Sequence, residues 1–126
     1  MIEFTDIIVF KLSDQPGADG EIISPTSLLT FPPTVPVTDY FMHDKVIGKA
    51  DLKRHGDAVV ANITISKTTV RPVMAARRHG KPLYPCIAGR IKKREGVVIK
   101  ELAIESIGLC PGANTDPSIG PLVFVS

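Results

Sequence analysis

The stretch Asp57-Ala58-Val59-Val60-Ala61-Asn62-Ile63-Thr64-Ile65-Ser66 alternates with a period of two. Val59, Ala61, Ile63 and Ile65 fall on one face and Val60, Asn62 and Thr64 on the other, the pattern of a strand with one face in a core. Upstream of it, residues 46–51 and 37–43 alternate well enough for two further strands. Residues 2–12, rich in β-branched side chains and Phe, suit an opening strand. Between these lie a turn cluster at 13–20 (SDQPGADG), a short apolar piece at 21–23, and TFPPTVP at 30–36. The three prolines of that last piece predict an extended surface connection.

Downstream, one segment has helical character. Residues 70–79 place Pro72 in a first turn, continue with Val73-Met74-Ala75-Ala76-Arg77-Arg78, and close on Gly80. Residues 83–91 and 96–109 then read as strands, with Lys92-Lys93-Arg94-Glu95 as the turn between them. Strict alternation along the second puts Val97, Ile99, Glu101, Ala103, Glu105 and Ile107 on one face, and Val98, Lys100, Leu102 and Ile104 on the other. Residues 122–125 make a last short strand. The expected class is α+β and strand-dominated: a small β-barrel with one main helix, in a single domain over residues 1–126.

Composition narrows the function classes. Of 126 residues 44% are apolar, enough for one core. Lys and Arg number 15 against 13 Asp and Glu, for a net charge of +2. That balance, with 6% aromatics and no Trp to stack on bases, argues against a nucleic-acid binder. The local basic clusters Arg77-Arg78-His79-Gly80-Lys81 and Arg90-Ile91-Lys92-Lys93-Arg94 read first as solvated surface, and next as contacts to an acidic protein partner. Apolar runs such as 7–10 fall far short of the ~18 residues of a membrane span. Met1 leads straight into Ile2-Glu3-Phe4 without the basic and apolar regions of a secretory leader, so synthesis in a cytoplasm is expected. Cys86 and Cys110 would be reduced there, and with His43, His55 and His79 they show no metal-ligand spacing. No metal and no other cofactor is expected.

One constellation has catalytic residue types. Cys86 sits in Pro85-Cys86-Ile87-Ala88-Gly89, a small-residue setting for a nucleophile. His43 is a candidate base and Glu105 a candidate orienting acid. A free cysteine is also, and more commonly, a small buried hydrophobe.

Taken in order, several segments resemble the tailed-phage prohead maturation proteases. DGEIISPTSL (19–28) is similar to that family's early Asp-Gly-acidic-apolar segment. VPVTDYFMHDKVIGKADLKRHGDAVVANITI (35–65) resembles its central block, in which an apolar run ends in His-Asp before Ile-Gly, a Gly-containing turn and a strand. VRPVMAARRHG (70–80) takes the place of the middle helix, and YPCIAGRI (84–91) that of the turn carrying the nucleophile. ELAIESIGLCPGANTDPSI (101–119) resembles the closing strand and its Pro-containing loop. The resemblance implies a herpesvirus-assemblin-like β-barrel that works in capsid assembly, with the family His on His43, the serine position on Cys86 and the strand Glu on Glu105. No serine occurs between Thr68 and Ile104. A sulfur in place of the hydroxyl misaligns a site shaped for serine, and a misplacement of that kind costs ~100-fold in rate.

Two readings follow from the resemblance. The chain is a non-enzymatic virion protein, a capsid decoration or cement subunit bound to the major capsid protein and self-associating on the shell. Arg77, Arg78, Lys92, Lys93 and Arg94 would then be its capsid contacts, with TFPPTVP and the 109–122 segment as extended arms. Alternatively it is a capsid maturation protease, with Cys86 as thiolate nucleophile, His43 as base and Glu105 as orienter.

Overall fold

The 57–66 alternation becomes an interior strand of a mixed sheet, one in from an edge strand. In the computed structural model, which describes residues 1–17, 20–40, 42, 44–111 and 119–124, Val59, Ala61, Ile63 and Ile65 of β5 (Ala58–Ile65) are all buried. β5 pairs antiparallel with β1 (Ile2–Lys11) on one edge and β4 (Val46–His55) on the other. β3 (Thr34–Asp39) follows β4, and beyond it lies β7 (Val98–Cys110). β7 takes β6 (Tyr84–Glu95) antiparallel along its far edge, and the short β2 (Leu28–Thr30) in parallel. The single helix, α1 (Arg71–His79), buries Val73 and Ala76 in the same core as Val37, Ile63, Ile107 and Leu109.

The strand-dominated α+β class holds; closure into a barrel does not. Among the described residues no ladder joins the edge strands β1 and β6, although the sheet curls enough to bring them near each other. Their sequences account for this. β1 is broken by a bulge at Thr5-Asp6, where Asp6 has φ of 54° and its N–H donates to Asn62 Oδ1 at 3.0 Å rather than to a ladder. β6 ends in Gly89–Glu95, seven consecutive exposed residues rich in cations, the composition that blunts a sheet edge. The final expected strand reduces to one bridge, Leu122 to Leu83; Val125 is outside the described residues.

Three further expectations are corrected. The turn at 92–95 belongs to β6, and the chain reverses at Gly96-Val97 instead. A two-residue hairpin loop needs positive φ at its first residue, which Gly96 supplies at 62° and a Lys does not readily adopt. The 30–36 connection is partly strand, because β3 already begins at Thr34 and buries Val35 in the core. Its prolines show where pairing lapses: Pro32, Pro33 and Pro36 lie between the β2 and β3 ladders to β7, where no N–H is required by β7.

The single-face reading of the long strand fails for a related reason. Along β7 the buried large residues are Ile99, then Leu102 and Ile104, then Ile107 and Leu109. The phase changes twice because Lys100 and Glu105 are unpaired extra residues opposite register shifts in β6. Each inserted residue flips the following side chains to the other face, so the apolar residues stay inside despite the broken alternation.

Helix α1 matches its sequence signals. Pro72 occupies the first turn, Gly80 follows in the left-handed conformation (φ 63°, ψ 22°), and Arg77, Arg78 and His79 sit in the last turn against the negative end of the helix dipole. Gly48 is the tightest constraint in β4: a Cβ there would lie 2.1 Å from the Thr64 carbonyl oxygen. Gly48→Ala should therefore separate β4 from β5 and destabilise the fold by about 1–3 kcal/mol, read as a lowered urea midpoint.

Candidate functional site

The richest chemistry in the described structure surrounds a residue with no side chain. Gly108 of β7 is paired on one edge with Thr38 of β3 and on the other with Cys86 of β6. Residues opposite each other in a sheet share a face, as do residues two apart along a strand. Thr38, Cys86, Ser106 and Cys110 therefore ring Gly108 on one face, while Val37, Ile107 and Ile87 take the other. Thr38, Ser106 and Cys110 are buried and Cys86 is half-buried, so both faces of β7 are covered at this end.

The four polar side chains differ in how they are satisfied. The Thr38 hydroxyl donates to the Tyr40 carbonyl at 2.9 Å. That carbonyl is presented by a left-handed Tyr40 (φ 54°), whose own N–H is held by the Leu109 carbonyl at 3.0 Å. The Cys86 thiol donates to the Tyr84 carbonyl over 3.9 Å. Ser106 Oγ is fully buried and makes no hydrogen bond. An orphaned buried hydroxyl costs about 1–3 kcal/mol, which marks this spot as one not optimised for stability alone. Cys110 has its pKa driven far above the ordinary 9.0, by its side-chain hydrogen bond with Cys86 first and by burial second. It is a neutral thiol at physiological pH.

Cys86 is thus one member of a small polar ring around Gly108. Glu105 is the unpaired bulge residue before Ser106, opposite the Ala88–Gly89 step of β6, and its carboxylate pairs with Arg90 Nε at 3.1 Å, with 47% of the Glu105 side chain exposed. His43 lies outside the described residues.

The basic candidates lie in two places. Arg77 and Arg78 line a shallow cleft of about 270 Å³ with Thr68, Thr69 and Met74. Lys92, Lys93 and Arg94 lie on the exposed end of β6. Arg94 is bound to Glu21 at 2.6 Å, whereas Lys92 and Lys93 have no ion pair among the described residues. Of the extended arms, 31–33 connects β2 to β3, and 112–118 is outside the described residues.

Sequence reasoning missed Thr38, Ser106, Gly108 and the neighbour relation of Cys110 to Cys86. Each is an ordinary small residue, and only the β3–β7 and β6–β7 registers bring them together. No helix among the described residues is long and apolar enough to cross a membrane, and no group of three or more His, Cys, Asp or Glu forms a metal cluster there. Compared with known proteins, the chain matches no family model, no curated protein and no solved structure.

The elevated Cys110 pKa makes a pH prediction. The unfolded thiol ionises at a lower pH than the folded one, so this contribution is present below about pH 9 and is lost as pH rises above it. The urea midpoint should fall between about pH 8 and about pH 10.5, and Cys110→Ala should flatten that slope.

Proposed function

We propose that this chain is a non-enzymatic structural protein of a tailed-phage virion, a capsid decoration or cement subunit built on an opened relative of the prohead-protease barrel. Glu105 carries the reading. The acid that would orient a catalytic histidine is committed to a surface ion pair with Arg90. The nucleophile position holds Cys86 rather than serine. Binding to the major capsid protein would use the exposed cations, with Lys92 and Lys93 first because no ion pair among the described residues competes for them.

A maturation protease is the second reading, favoured by the polar ring around Gly108 in which Cys86 is the accessible member. Purified mature particles separate the two. As a decoration subunit the chain should appear intact, in many copies and at a fixed ratio to the capsid subunit, and Cys86→Ala should leave particle yield and capsid-subunit mass unchanged. Loss of capsid or scaffold processing in Cys86→Ala would establish the protease instead. Paired Lys92→Glu and Lys93→Glu substitutions should weaken attachment to particles, as should raised salt. Attachment indifferent to both would remove β6 from the interface.

A further inference from the structure

We propose that Cys86 and Cys110 form a two-thiolate site for a soft, thiophilic metal ion of the monovalent coinage type. The site is independent of any role on a capsid. Cys86 is opposite Gly108, and Cys110 is two residues further along the same strand and opposite Tyr84. The cysteines are therefore diagonal neighbours on one face of an antiparallel pair. Because Gly108 has no side chain, nothing on β7 stands between them.

Diagonal placement selects the chemistry. Diagonal residues are separated by about 7–8 Å, somewhat less at Cβ, whereas a disulfide needs Cβ atoms within about 3.5–4.5 Å. Closing a disulfide would require the two strands to move. A bridging ion asks less: two metal–sulfur bonds of roughly 2.3 Å each span the gap between sulfurs that face one another without bonding. Both side chains leave the β6–β7 pair on the same face, because Cys86 is opposite Gly108 and Cys110 is two residues further along β7. Zinc would want four donors, and no cluster of three His, Cys, Asp or Glu occurs among the described residues. Soft univalent d10 ions are content with thiolates alone. The buried, unpartnered Ser106 hydroxyl on the same face is a polar atom left facing this region without a protein partner.

Binding is a balanced exchange without electron transfer: two S–H bonds break, two metal–sulfur bonds form, and two protons leave for solvent. Affinity should therefore rise with pH. The test uses silver(I), a redox-inert probe, added anaerobically to the full chain in chloride-free buffer with glutathione as competitor. One silver ion per chain is expected by native mass spectrometry. One equivalent should block alkylation of both thiols and release two protons. Cys86→Ser, at the half-exposed position, should lose at least ~100-fold in affinity, the scale of a lost chelate. Cys110→Ser should lose as much, and the alkylation readout on the unaltered chain remains decisive should that variant not fold. Two ions per chain with each equivalent protecting one thiol, or a Cys86→Ser affinity within about threefold of the parent, would overturn the proposal.

Discussion

Everything in this fold depends on β7 serving three strands with two edges. On one edge β6 runs antiparallel over nearly its whole length. On the other the chain runs parallel in steps, from the Ile22 bridge to Val98, through β2, to β3. That second edge is fastened from outside. Ser27 Oγ donates to the Ile99 carbonyl at 2.6 Å, and the Arg54 guanidinium reaches the Pro25 carbonyl at 2.8 Å and the Gly56 carbonyl at 3.1 Å. One arginine thus ties the segment before β2 to the β4–β5 hairpin. With β7 so held, Ile104, Ile107 and Leu109 are fully buried, at about 1.5–3 kcal/mol of hydrophobic stabilisation each.

The same arrangement creates the polar ring. A strand flanked on both edges and covered on both faces normally carries apolar residues throughout. Here the second face instead carries Ser106, Gly108 and Cys110, with Thr38 and Cys86 beside them. Small residues are required sterically where neighbouring backbones crowd. Hydroxyls and thiols are not, because alanine would fill the same space without an orphaned Oγ.

What could be read from the residues divides along a physical line. Segments whose structure is set by local pattern were legible: the β5 face, and the helix between Pro72 and Gly80. Features set by pairing between segments were not. The phase of β7 depends on bulges at Lys100 and Glu105, which respond to β6 and leave no mark in the local alternation. The turn at Gly96 was legible in principle, but the charged run before it drew the turn forward. Val35 was hidden among prolines whose surface preference is genuine and whose missing N–H groups β7 does not require. For the site, Cys86 and Glu105 were visible as residue types. Their separation into a polar ring and a surface ion pair was not, since a single bulge decides it.

The exposed end of β6 limits how this chain can associate with itself. An edge strand with free backbone groups invites pairing with a second copy, but β6 presents Arg90, Lys92 and Lys93 there, with Lys92 at a register shift that interrupts a regular ladder. Two such edges brought together would repel. Arg90 and Arg94 are each neutralised by a carboxylate of the same chain, which leaves the two lysines as the net charge of the edge. Contacts through β6 thus favour an acidic surface met by side chains over a strand added by hydrogen bonds.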